Sequence, residues 1–496
     1  MSLHNAKFLI VFLMGLMVTT AAFANNLNIS NVSLGSRDPG AKTLVIKFDI
    51  QWENSWRNKI NHDAAWLTVR LNSTTASPTY KKLCQVSASG LNPAGSSVGN
   101  AQNIEFYVPS DKRGLFVRRS SYGPVANISS QNAQVTVSYD SCGFTDSDTV
   151  SASVFGLEMV YIPQGSFNAG DYNTSVASLN RGNADNNPWY INSENAIAVA
   201  NPVANGFRYI SNNNSGEYAS GSIFTIPAVF PKGFAPFYVM KYEITEGEWI
   251  EFVNALPTTA ARSSRDLTDN NHKNSDNVLA RNTIACSGSP LACSSTRPAR
   301  PASFLTWMDV VAFLDWAALR PLTELEFEKI ARGPILPVAG EYIWGTTAVT
   351  PASTISGNED GTETSNGNAN VGNVTFSGGD AAADPQSQQG ALRAGIFATV
   401  SSTRELAGAS YYGVMDLGGN LKERVVTIGN ASGLGFSGLN GDGVLSSGAG
   451  FEGNANEIAW PGLDANAANG VTNANGSGFR GGSWAASADR FCIFDR

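Results

Sequence analysis

Few residues in this chain are equipped for chemistry. Five cysteines, Cys84, Cys142, Cys286, Cys293 and Cys492, are spread over 496 residues. Beyond the first 24 residues the histidines are His62 and His272, far apart in sequence. No H-E-x-x-H spacing occurs, so an imidazole-held zinc or iron centre has no residues to build it. A Ser-His-Asp relay is similarly unsupported, because neither histidine comes with partners at a telling spacing. One loop stands out, Asp416-Leu-Gly-Gly-Asn-Leu-Lys-Glu423. It offers carboxylates, an amide oxygen and carbonyls that its glycines can turn toward one point. Those are the hard oxygen donors that calcium prefers. On turn chemistry alone the loop reads first as a tight turn with solvated charges. Asn440-Gly-Asp442-Gly443 reads as a plain turn.

The cysteines are interpreted through their compartment. Lys7 precedes the apolar run Phe8 to Val18, and Ala22-Phe23-Ala24 offers a small-x-small cleavage site. This is the pattern of a signal peptide, too short in its apolar part to span a bilayer comfortably. The expectation is a secreted or periplasmic protein, cleaved near Ala24, with no later membrane span. In that setting Cys84 could pair with Cys142, and Cys286 with Cys293 across a short loop, leaving Cys492 over. The formal charge is −8 with charged residues at 15%. Without a basic stripe the chain is no phosphate-tracking nucleic-acid binder.

The elements that must position these residues fall into two parts. Residues 25–155 carry short β-branched and aromatic runs, Thr43 to Trp52, Ala65 to Arg70, Ile104 to Val108 and Ala133 to Tyr139. Their spacing predicts an all-β sandwich, a docking or spacer module without a catalytic constellation. From residue 156 the chain turns loop-rich, with three short helices. Thr245 with Glu248, Thr306 with Asp309 and Thr323 with Glu326 mark their starts as capping pairs. Trp249, Phe252, Val253 and Leu256 form the first apolar face; Trp307, Val311, Leu314 and Ala318 the second; Phe327, Ile330 and Ala331 the third. Segments 350–400 and 428–480 are rich in Gly, Ser, Asn and Ala, but their interspersed aromatics predict ordered long loops.

Six segments in order carry a resemblance: Met159 to Phe167, Phe237 to Thr245, Arg320-Pro-Leu-Thr-Glu-Leu-Glu-Phe-Glu-Lys-Ile-Ala-Arg-Gly333, Tyr342-Ile-Trp-Gly345, Gly413 to Glu423, and Phe479-Arg-Gly-Gly-Ser-Trp484. Over residues 156–496 the chain resembles the formylglycine-generating enzyme, or sulfatase-modifying factor, family. The resemblance implies an α+β fold, a variant of the C-type-lectin-like fold with few helices and long loops. It also implies calcium at the positions matching the family's metal loop, Asp416, Gly419, Leu421 and Glu423. Lys422 and Arg424 stand where the family has aromatic residues. A second family calcium site begins at positions matching Asn370 and Val371, completed by Asp380 or Asp384.

Family enzymes oxidise a substrate cysteine to formylglycine at copper(I) held by two thiolates, a soft-donor site suited to that ion. Here Cys492 sits near the second thiolate position, and Ala485 to Ser487 occupy the region of the first. The leading expectation is therefore an exported, calcium-stabilised, non-catalytic protein that binds a ligand or partner. The alternative is a copper-dependent oxidase acting on a cysteine peptide of a substrate protein, with Cys492 as its catalytic thiolate. The segment from Gly478 also resembles the diversified ligand-facing segment of retroelement-targeted lectin-like proteins. That likeness marks Ala485, Ala486, Ser487, Asp489 and Asp495, beside Trp484, as a ligand surface; ordinary drift in a surface loop gives the same pattern.

Overall fold

The computed structural model describes residues 27–496 apart from 74–80, 173–177, 182–186, 201–205, 212–213, 269–280, 353–354, 358–360, 366–368, 372–389, 400 and 485. The signal-peptide reading, His272, Asp380, Asp384 and Ala485 therefore lie outside the described residues. Among those described the fold is mostly sheet with five short α-helices, an α+β arrangement. No helix among them is long and apolar enough to cross a membrane.

The three capping pairs start helices where the sequence places them. Glu246–Ala255, Trp307–Trp316 and Glu324–Arg332 each open on a reciprocal capping box. In each, the threonine hydroxyl accepts from the third backbone N–H and the acid reaches back to the cap, satisfying two otherwise orphaned donors. Gly333 follows the last helix at φ 67°, a conformation glycine adopts without a Cβ clash. Two further short helices, Thr259–Ser263 and Ala431–Leu434, carry no comparable sequence pattern. The apolar stripes point inward: Trp249, Phe252, Val253, Trp307 and Val311 are all at most 1% exposed. Burying each such side chain contributes on the order of 1.5–3 kcal/mol.

The change of character near residue 156 is not a break in the chain's structure. One strand, Val150–Ile162, runs straight through it. On one side it pairs antiparallel with Asp63–Ser73, from Val160 opposite Asp63 to Val150 opposite Ser73. On the other it pairs with Phe237–Met240, the segment leading into the first capping box. A seven-stranded sheet results, to which Ile104–Val108 and Leu115–Arg119 also belong. A three-stranded sheet of Asn28–Asp38, Thr43–Arg57 and Gly123–Ser138 shares an apolar core with it.

Strand Asp63–Ser73 shows why both parts hold together. Side chains alternate between the faces of a strand. Ala65, Leu67, Val69 and Leu71 enter the core between the two sheets. Ala64 and Trp66 face the other way and join the core of the helical part. On that face Trp66 Nε1 donates to the Ala317 carbonyl at 2.9 Å. The Arg70 guanidinium donates to the Trp316 carbonyl and lies 3.8 Å from the Trp316 ring centroid. A cation thus sits at a helix C-terminus, where the exposed carbonyls favour positive charge.

A small sheet presents the loop Asp416–Glu423. Leu322–Thr323 pairs parallel with Glu423–Val426, which pairs antiparallel with Ser477–Arg480. Glu423 lies opposite Arg480 and Arg424 opposite Phe479. The Glu324–Arg332 helix starts directly after Thr323 and is buried along its whole length, charged residues included. Arg480 reaches Glu328 at 2.7 Å and Glu324 at 3.5 Å. Arg496 reaches Glu324 at 2.6 Å, and Arg332 pairs with Glu341. The Glu324–Arg332 helix is thus tied to Arg480 and Arg496 by buried ion pairs.

Candidate functional site: a carboxylate loop and a lone thiol

The loop from Asp416 to Glu423 is folded by left-handed residues. Asp416, Gly419 and Asn420 have φ of 57°, 82° and 53°. Asp, Gly and Asn tolerate that region best. Asn420 is the knot. Its amide oxygen accepts from Leu392 N–H at 2.8 Å, and its carbonyl accepts from Trp484 N–H at 2.7 Å. Its Nδ2 donates to Glu243 at 2.8 Å. Gly419 N–H donates to the Gly481 carbonyl at 2.9 Å, stitching the loop to the Arg480-Gly-Gly segment.

Three carboxyls crowd the loop. Glu243 accepts from Leu421 N–H at 2.8 Å as well as from Asn420. Asp416 accepts from Gly395 N–H at 2.6 Å. Glu423 is different: both its carboxylate oxygens are buried, and neither has a hydrogen-bond partner. Burial first, then the neighbouring Asp416, pushes the Glu243 carboxyl well above its usual range. Burial, then Glu243, does the same to Glu423. Burial pushes Asp416 up to about 6, with Gly395 N–H and Arg393 opposing. Unpaired buried carboxylates are costly, and a cation would relieve that cost.

The sequence singled out Asp416, Gly419, Leu421 and Glu423, and the structure brings them into one loop. It adds Glu243, which hydrogen-bonds that loop from the Phe237–Thr245 segment. Among the described residues no three His, Cys, Asp or Glu side chains converge as a ready metal cluster. The residues that could contribute to holding calcium are Glu423, whose carboxylate oxygens have no partner, and Asp416, together with loop carbonyls, the mixed set calcium accepts. Gly481 seals the loop. With φ 75°, a Cβ there would collide with Glu423 Oε2 and the Leu417 carbonyl. Gly481→Ala is expected to destabilise the protein by at least about 2 kcal/mol, read from the urea midpoint.

The other positions stand as follows. Asn370 Oδ1 accepts from Thr350 N–H, and the Val371 carbonyl accepts from Ala352 N–H, both at 2.9 Å. Both oxygens thus hold neighbouring backbone. His62 is a core residue, 2.9 Å from the Tyr238 hydroxyl and stacked on Tyr161. Burial, then Arg118 and Arg57, pushes its pKa down to about 3, so it is neutral. Asp442 accepts from Val444 N–H and donates its own N–H to Asp315, as a turn does. Trp460 is buried, with its Nε1 on the Leu439 carbonyl. Trp484, Ala486 and Asp495 are half-buried, while Ser487 and Asp489 are exposed beside the short Ala488–Phe491 turn.

The cysteines settle into a definite pattern. Cys84 is bonded to Cys142 and Cys286 to Cys293. Cys492 alone is free, and it is buried. Burial, then Asp495, Asp171, Asp489 and Glu341, pushes its thiol up to about 12. Its thiol donates to the Gly340 carbonyl at 3.8 Å. Copper(I) of the two-thiolate kind needs deprotonated sulfur donors. The chain has one sulfur at that place, its thiol pushed up by burial first and then by the acids around it. These residues do not fit the copper centre, and no oxidative step is derived through it.

Comparisons with curated proteins and with solved structures found no match. A family model does match: the sulfatase-modifying factor enzyme 1-like domain, over residues 156–494. That span exceeds half of the chain, and the protein belongs to the sulfatase-modifying factor enzyme 1-like family.

Proposed function

We propose that the protein is an exported, calcium-stabilised, non-catalytic member of this family that binds a ligand or partner. In this reading residues 25–155 are a β-sandwich docking or spacer module, and residues 156–496 are a C-type-lectin-like variant. The observation that carries it is the pairing of the cysteines. Four of the five are locked in disulfides, and Cys492 has no sulfur partner. A thiol held near a pKa of about 12 is almost wholly protonated at neutral pH, when a copper ligand must be a thiolate. Calcium is supported by the orphaned oxygens of Glu423, by Asp416 beside it and by the oxygen-only character of the loop. A binding role for the C-terminal segment is supported by the exposure of Ser487 and Asp489.

The reading is tested with copper-supplied protein, its two disulfides intact, with oxygen and a cysteine peptide. The expected result is no peptide aldehyde above that formed by the Cys492→Ala variant. Aldehyde formation that depends on Cys492 would reinstate the oxidase.

A further inference from the structure

A cavity of about 800 Å³ opens beside the metal loop, between the N-terminal strands and the helical part. Its deep wall is apolar and buried: Trp66, Phe116, Met159 and Leu314. Phe116 stacks on Tyr238 with ring centroids 3.9 Å apart, fixing the shape of that wall. At the rim stand Tyr107 and Phe479, 37% and 45% exposed, together with Lys422 and Arg424. A concave apolar site of this volume with a few polar groups suits a small molecule.

The rim charges decide which kind. Lys422 Nζ lies 5.1 Å, and Arg424 Cζ 4.1 Å, from the Phe479 ring centroid. Arg424 also donates to the Leu305 carbonyl at 3.3 Å. Neither forms an ion pair among the described residues. The third lining cation, Arg320, is committed to Glu326 at 2.9 Å. Of the lining acids, Glu423 belongs to the Asp416–Glu423 loop, Glu243 accepts from Asn420 and Leu421 of that loop, and Asp111 accepts the Arg113 N–H at 3.3 Å. Walls drawn from Trp66, Tyr107 and Phe116 come from the N-terminal part, outside the span that the family model matches.

We propose that this cavity binds a monoanionic amphiphile, an apolar chain bearing one carboxylate. Its tail lies against Trp66, Phe116 and Leu314, and its head meets Lys422 and Arg424. Charge-assisted hydrogen bonds to a carboxylate are stronger than neutral ones, and the apolar wall rewards each added methylene. The proposal rests on the binding reading above and names its ligand class.

The test is calorimetric titration of the calcium-supplemented protein with octanoate, decanoate, decanol and decylammonium below their micelle concentrations. Decanoate is expected to bind about ten-fold more tightly than octanoate, from two methylenes. Decanol and decylammonium should bind at least about ten-fold more weakly than decanoate. The exposed variant Lys422→Gln and the double variant Lys422→Gln/Arg424→Gln should weaken decanoate progressively and leave decanol unchanged. Each variant's urea midpoint without calcium reports folding separately. Decanol binding as tightly as decanoate, an unaffected double variant, or no decanoate binding would overturn the ligand class. A copper(I) site dependent on Cys492 would instead overturn the binding reading beneath it.

Discussion

Calcium in hundred-fold excess over its dissociation constant is expected to stabilise the metal-stripped protein by about 2.7 kcal/mol, and by much less near pH 5. The sign follows from the three carboxyls. Glu243, Asp416 and Glu423 all have folded pKa values above their ordinary ones. A group raised on folding contributes stability that is complete below its unfolded pKa, about 4 for a carboxyl. That contribution is lost as pH rises through the folded value, for Asp416 about 6. Without calcium, stability should therefore fall as pH climbs from about 4 toward neutral. Calcium replaces the departing protons, so its effect should grow over the same interval. Glu423→Gln should abolish the calcium response while leaving the metal-free protein no less stable at neutral pH, because it removes a buried carboxyl that has no partner. Thermal melts with calcium or a chelator, for wild type and variant, measure both. A calcium response that survives Glu423→Gln would place the ion elsewhere.

The second large effect concerns Arg480. Its side chain is fully buried, bonded to Glu328 at 2.7 Å and to the Ile493 and Asp495 carbonyls at 3.1 and 2.9 Å. Arg480→Met leaves Glu324 and Glu328 buried with one cation fewer. Breaking a buried pair by removing one partner costs about 3–5 kcal/mol, far more than an exposed pair is worth. Arg480→Met/Glu328→Met should recover a substantial part of that loss, since it removes the stranded charge as well. Urea midpoints at unchanged slope measure the difference. A double variant as unstable as the sum of the two singles would show that the residues act independently.

Much of this arrangement was legible in the sequence, for local reasons. The capping pairs at Thr245, Thr306 and Thr323 are three-residue signals, and each opens a helix as expected. The Asp416 to Glu423 loop announces itself through glycines and acids in one short run. What stayed hidden depends on long-range pairing. Val150–Ile162 spans a change in composition, so its first half reads with one part and its second half with the other. Only its partners Asp63–Ser73 and Phe237–Met240 reveal one strand. Glu243 resembles any acid ahead of a helix until Leu421 N–H is found on its carboxylate. The cavity draws on residues from Trp66 to Ser483, a set no motif collects. The pairing of Cys84 with Cys142 was suggested by compartment, but the isolation of Cys492 needed the fold.

That isolation of Cys492 is what separates a binding protein from a copper oxidase. The decisive measurement is copper(I) titration of the protein with both disulfides intact, against a competing chelating probe, for wild type and Cys492→Ala. The account predicts no tight one-to-one binding, with wild type and variant indistinguishable. Tight stoichiometric binding that disappears in Cys492→Ala would contradict it.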